Sequence, residues 1–196
     1  MQTATIVIII ITCVVSILFN EGMLKQRSLL FNAYHVYYGH QWHRLFTHGF
    51  IHAGYVHLLF NMVTLYYFGP VVETYLAYYF GYTTGIGLFV FLYLSAIAVS
   101  CVGDLVKNHD NPYYNALGAS GAVSAVLFSA IFFEPTMGIS IMFIPISIPA
   151  FLFGPLYLWD CWYMAKQQRD NIGHLAHFSG AVYGLLFSLA LFLFIR

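Results

Sequence analysis

The chain has 196 residues, of which 61% are hydrophobic and only 7% charged, with a formal net charge of zero and a mean hydropathy of +0.78. Soluble domains carry roughly 25% charged residues, so this chain lacks the polar surface of a soluble protein and reads as an integral membrane protein. The neutral charge gives no footprint for a nucleic-acid partner. The three cysteines, Cys13, Cys101 and Cys161, lie far apart, form no CxxC pair and read as isolated buried thiols rather than a disulfide or metal framework.

A membrane span needs about 20 mostly apolar residues, and six runs qualify. The first covers about Thr3–Phe19. It lacks a basic flank and a small-residue cleavage site, so it reads as a retained span rather than a signal peptide. A long connection, about Asn20–Phe50, carries Glu21, Lys25, Arg27 and Arg44. It also carries Tyr34, Tyr37, Tyr38 and Trp42, aromatics that favour the headgroup level. The second and third spans run about Ile51–Val72 and Thr83–Val102, and Gly103–Asn115 reads as a polar loop. The fourth covers about Ala116–Phe133 and is closed by Glu134 and Pro135. The fifth, about Ile146–Met164, follows Pro145 and contains Pro149 and Pro155, which permit kinks. Lys166–Asn171 is a polar loop before the sixth span, about Ile172–Ile195. The whole chain, 1–196, reads as one membrane domain without a separate soluble domain.

Six spans put the first, third and fifth loops on one side. All nine histidines fall on that side or in the span ends facing it: His35, His40, His43, His48, His52, His57, His109, His174 and His177. A functional surface is expected there.

Polar residues inside spans are costly and often functional. The second span opens with His48, His52 and His57, then Asn61, and His57 and Asn61 share a helix face one turn apart. Two histidines at helical spacing can ligate a metal, but the glutamate of a HExxH site is missing. Asn61 by itself also fits an interhelical hydrogen bond. In the sixth span His177, Gly180 and Gly184 share one side, and the two glycines form GxxxG. The fourth span answers with Gly118, Gly121, Ala122, Ala125 and Ser129. If those surfaces meet, His177 comes near Ser120 and supplies a base for a nucleophile. Spacing alone leaves open the alternative of small-residue packing with an interfacial histidine.

Taken together, these motifs resemble those of rhomboid intramembrane serine proteases. Gly118-Ala119-Ser120-Gly121 resembles the family's GxSG, and His52, His57 and Asn61 its HxxxxHxxxN. His177, Gly180 and Gly184 match its HxxGxxxG. Trp42 and Arg44 resemble the Trp-Arg element of its first loop, and Glu73 an acidic residue just past its second span. The resemblance implies an all-α, six-transmembrane-helix bundle with a water-accessible intramembrane cavity. It implies Ser120 as nucleophile and His177 as general base, a dyad without an acidic third member. His57, Asn61 and the Ser120 N–H would stabilise the oxyanion. His52, Gly118 and Gly121 would shape the cavity, and Trp42, Arg44, Glu73, Gly180 and Gly184 would be structural.

The implied activity is hydrolysis of peptide bonds in or near transmembrane segments of other membrane proteins, with no cofactor and no metal. The implied partners are those substrates and the lipid bilayer; oligomeric state is not legible. One departure stands out. Some family members carry a tyrosine four residues after the nucleophile, against the catalytic histidine, and this chain has Ser124 there. Ser124, Ser129 and Ser179 read as packing residues.

The fifth span fits either a mobile substrate gate or a kinked structural helix. The rival functions are a catalytically silent rhomboid-like client binder, a histidine-rich metal or haem protein, and a transporter. Silent relatives usually lack the serine or histidine present here. Orientation carries a conflict. Lys25, Arg27, Arg44, Lys107, Lys166 and Arg169 lie on the active-site side against Arg196 on the other, and the positive-inside rule would make that side cytoplasmic. Family resemblance instead puts it on the extracytoplasmic side of the cell (inner) membrane, which is the orientation expected.

Overall fold

A computed structural model describes residues 3–24, 27–140, 147–167 and 172–195. The protein is a helical bundle with one short hairpin. The expected positions Lys25, Pro145, Ile146, Arg169, Asn171 and Arg196 lie outside the described residues.

Helix α1 (Thr3–Asn20) carries two unlike faces. Val7, Ile10, Ile11, Val14 and Ile17 are exposed, while Ala4, Thr5, Ile8, Thr12 and Ser16 are buried. The buried stripe is small and hydroxylated, which lets backbones approach closely where lipid offers no hydrophobic drive. It packs on α4 (Tyr55–Phe80). A Cβ at Gly69 of α4 would lie only 2.4 Å from the Thr5 hydroxyl oxygen.

The first loop folds into α2 (Ala33–Tyr37), α3 (Arg44–Thr47) and a 3-10 turn at His48–Phe50. Asn32 caps α2 by accepting the His35 N–H at 2.9 Å. The buried Arg44 guanidinium donates to Gln41 Oε1 at 2.6 Å and to the Arg27 and Leu30 carbonyls at 3.0 and 2.8 Å. Arg44 thereby ties Arg27 and Leu30 to the start of α3. Trp42 is 55% exposed, tilts its ring against His40 and donates its backbone N–H to the His40 carbonyl at 3.0 Å. Phe31 and Ala116 exchange both backbone hydrogen bonds at 3.0 Å, docking the loop on the segment that leads to Ser120.

Helix α4 is longer than expected and starts later, because Gly54 (φ 83°) breaks the backbone before Tyr55. A single residue, Gly81 (φ 81°), joins it to α5 (Tyr82–Ser100), so the expected loop is a one-residue turn. Glu73 consequently sits inside α4 rather than past its end. It is 1% exposed and caps the start of α1, accepting the Ala4 and Thr5 N–H groups at 3.3 and 2.6 Å and the Thr5 hydroxyl. A carboxylate there meets otherwise unsatisfied donors at the positive end of the helix.

The expected polar loop after the third span begins as a helix, α6 (Val102–Asn108), and is irregular from residue 109 on. Helix α7 (Ser120–Phe133) is central: Gly121 through Ile131 are all buried. Residues 116–119 precede it as loop rather than helix. At 14 residues α7 is about 21 Å long, against a hydrocarbon core of about 30 Å. After β1 (Gly138–Ser140) and its antiparallel partner β2 (Ser147–Pro149) comes α8 (Ala150–Gln167), with Pro155 inside it. Helix α8 buries only Ala150, Gly154 and Cys161. Helix α9 (His174–Ile195) closes the bundle against α7.

All six expected spans are helical over most of their length, as α1, α4, α5, α7, α8 and α9. Among the described residues, four stretches are long and apolar enough to cross a membrane: Thr3–Asn20, Tyr55–Phe80, Tyr82–Asn108 and His174–Phe194. Helix α7 is apolar but short, and α8 carries Asp160 and Lys166.

Candidate active site

Ser120 is the first residue of α7. The turn before it is fixed from outside. The Ala116 N–H donates to the Phe31 carbonyl, the Gly118 N–H to the His48 carbonyl at 3.0 Å, and the Ala119 N–H to His52 Nε2 at 3.2 Å. Gly118 has φ +117°, a conformation that L side chains rarely adopt. A Cβ there would also lie 2.7 Å from His57 Cε1. Glycine at 118 thus serves both the turn and the seating of the His57 ring.

The protonation pattern around His52 follows from its neighbours. Ser16 Oγ donates to the Phe50 carbonyl at 2.9 Å, so toward His52 Nδ1, 3.0 Å away, it acts as acceptor. Nδ1 then carries the proton, and Nε2 offers the lone pair that the Ala119 N–H meets. His52 is fully buried and stands behind the cavity wall rather than on it. Its ring packs edge-on against His57 with centroids 5.0 Å apart. Burial, with the neighbouring His57 and His48, pushes the His52 imidazole down to about 3, and burial pushes His48 down to about 4. Both rings are therefore neutral at ordinary pH, which the His52 bonding pattern requires.

The meeting of helices expected from the small residues is present. A Cβ at Gly180 would come within 2.0 Å of the Gly121 carbonyl oxygen, and one at Gly184 within 2.0 Å of the Ala125 carbonyl oxygen. A Cβ at Gly121 would lie 2.3 Å from Ser100 Oγ and 3.2 Å from the Ala176 carbonyl oxygen. Backbone thus packs on backbone along α7 and α9. The Ser129 hydroxyl adds a bond to the Gly184 carbonyl at 3.1 Å, consistent with a packing residue.

Ser120, His177, His57, Asn61, Gly118 and Gly121 all line one open cavity of about 2200 Å³. Asn61 donates from Nδ2 to the His57 carbonyl at 2.9 Å, which steadies the amide and leaves its second N–H for a ligand. The first helical hydrogen bond of α7 runs from the Val123 N–H to the Ala119 carbonyl. The N–H groups of Ser120, Gly121 and Ala122 therefore precede the helix ladder, at the end where backbone donors suit an anion. Chemically, the wall offers a hydroxyl, an imidazole, an amide and helix-end donors.

Three residues escaped the sequence reading. Ser16 fixes the His52 tautomer, and only the hydroxyl stripe of α1 hinted at a buried role. Tyr157 of α8 lines the cavity and shares a 2.8 Å hydrogen bond with Ser124 Oγ. At the position where some relatives carry a tyrosine, the short Ser124 side chain meets a tyrosine from another helix. Cys161, which reads as an isolated thiol, has its sulfur within 4.8 Å of ring nitrogens of both His174 and His177. Among the described residues this trio is the set able to hold a metal ion; the second-span histidines form no such set.

Comparison with known proteins accords with this arrangement. The family model described as Rhomboid domain matches residues 39–194. The chain is 30% identical over 148 residues to "RHOMBOID-like protein 12, mitochondrial" of Arabidopsis thaliana, covering 71% of this chain and 43% of that protein. It is 28% identical over 152 residues to "Putative rhomboid protease YdcA" of Bacillus subtilis (strain 168), covering 76% of this chain and 66% of that protein. The chain thus spans less than two thirds of the length of either relative. With its apolar helices, it is an integral membrane protein, and it belongs to the rhomboid family.

Proposed function

We propose that the protein is an intramembrane serine endopeptidase that cuts other membrane proteins in or near their transmembrane segments, using Ser120 and His177 as a dyad. The observation that supports this reading best is the backbone-on-backbone packing of α7 and α9, with Ser120, His177, His57 and Asn61 on the wall of one cavity.

A transmembrane helix hides its carbonyls in its own hydrogen bonds, so the substrate must unwind before attack. Ser120 Oγ adds to the exposed carbonyl while His177 takes its proton. The oxygen of the tetrahedral intermediate gains negative charge, met by the Asn61 amide, the His57 ring and the Ser120 N–H. His177 returns the proton to the leaving amine, and water hydrolyses the acyl-enzyme by the same steps. His52 acts through the turn: by holding the Ala119 N–H it orients the residue next to the nucleophile.

In this reading all six long helices span the membrane. The shortness of α7 sets Ser120 below the membrane surface, and the cavity admits water from the extracytoplasmic side. The sparse burial of α8 suits the substrate gate. Fluorophosphonate labelling of the detergent-solubilised chain is expected to disappear in Ser120→Ala. Cleavage of a transmembrane substrate is expected to disappear in His177→Ala. Labelling that persists in Ser120→Ala would remove the nucleophile. A reporter fused to each terminus tests the orientation, with both termini expected in the cytoplasm.

A further inference from the structure

Cys161 and His174 have no part in the proposed peptidase chemistry, yet they stand beside the residue given the role of base. His174 and His177 are three residues apart on α9, so they share a helix face. Cys161 is buried and reaches them from α8. One ring nitrogen from each histidine and the Cys161 sulfur lie within 4.8 Å of one another. A tetrahedral zinc ion, with metal–ligand distances of about 2.0–2.3 Å, asks for separations near 3.5 Å. Side-chain rotation closes that gap. A thiolate with two imidazoles is a soft, borderline donor set that selects zinc over magnesium or calcium. His174 and His177 line the cavity, so the ion and an exchangeable fourth ligand arrive through it. Tyr157 lies beside Cys161 from one turn earlier on α8.

We propose that Cys161, His174 and His177 form an inhibitory zinc site that takes the catalytic base out of use and ties α8 to α9. The consequence for His177 does not depend on which ring nitrogen coordinates. A neutral imidazole has one lone pair and one N–H. The metal takes the lone pair, and the other nitrogen keeps its proton, so neither can accept one from Ser120. On binding, the Cys161 thiol releases its proton to water and coordinates as thiolate. The ion also bridges the thinly packed α8 to α9, holding shut the side from which a substrate helix would enter. The regulatory half of this proposal rests on the peptidase reading; the site itself does not.

The test uses the full chain in detergent with Co²⁺ as the probe and Zn²⁺ as competitor. One equivalent of Co²⁺ is expected to give a thiolate-to-metal absorption band that Zn²⁺ displaces. Cys161→Ser abolishes the band, His174→Gln weakens binding at least tenfold, and Cys13→Ser leaves the band intact. Zinc at ten times its Kd is expected to slow peptidase turnover about tenfold. Each variant is compared with its own metal-free rate, and the inhibition is lost in Cys161→Ser. Absence of the band in the parent chain, its survival in Cys161→Ser, or equal zinc inhibition in that variant overturns the proposal. The spectrum is read without substrate and also in Ser120→Ala. A chain that forms the Cys161-dependent band but never cleaves a peptide has the metal site and lacks the hydrolase, which separates the two failures.

Discussion

Replacing Gly180 by alanine tests whether the contact of α7 with α9 is what makes the site. The added methyl would sit 2.0 Å from the Gly121 carbonyl oxygen, about 1.4 Å short of ordinary contact, and its neighbour is backbone that cannot rotate away. The helices must part by roughly that amount one residue after Ser120 on α7 and three residues after His177 on α9. A misplacement of about 1 Å can cost on the order of 100-fold in rate. Overpacking costs about 1–3 kcal/mol of stability. Gly180→Ala is thus expected to lower cleavage of a transmembrane substrate about 100-fold, with a matching fall in fluorophosphonate labelling rate. Gly87→Ala is the control: its Cβ meets nothing within 4 Å, and alanine gains up to about 1 kcal/mol of helix propensity over glycine. It should leave turnover alone. Gly180→Ala with turnover within threefold of the parent would refute the argument that this contact aligns the site.

Further outcomes follow from the same geometry. Asn61→Ala should lower turnover about 100- to 1,000-fold while Ser120 still labels slowly, read from paired cleavage and labelling rates. Glu73→Ala should cost about 1–3 kcal/mol, because the Ala4 and Thr5 N–H groups lose a buried acceptor at the start of α1; Glu73→Gln keeps one acceptor oxygen and should cost less in a denaturation series. Acid should loosen the turn before Ser120. His48 and His52 have folded values of about 4 and about 3, below the usual 6.5 of an unfolded histidine. Their contribution is full above pH 6.5 and falls as pH drops toward the folded values, by about 2 kcal/mol for each ring at pH 5. A melting temperature that is flat from pH 7 to 5, or that rises, would contradict the buried neutral rings.

Several features were legible because they depend on composition and local spacing. The scarcity of charge required a membrane setting, and six apolar runs foretold α1, α4, α5, α7, α8 and α9. GxxxG at Gly180 and Gly184, opposite the small residues of the fourth run, foretold the close contact of α9 with α7. The ends of the runs were less legible. Hydropathy does not register that Gly54 breaks the backbone, that Gly81 alone turns the chain, or that α4 continues through Glu73. Nor does hydropathy register that the Arg44 guanidinium finds carbonyls across the first loop while Trp42 stays exposed.

The sequence alone determined which chemistry is available: a serine among glycines, nine histidines, and an asparagine one helical turn from a histidine. Those are properties of residue type and short-range period, and the chain carries them wherever it folds. Only the tertiary structure decided which groups act on one another. Ser16 reaches His52 across 36 positions, Tyr157 reaches Ser124 across 33, and Cys161 joins His174 and His177 from a different helix. The reason is geometric: the partner of a side chain across a helix interface is set by the packing of the two helices, and no local pattern records it.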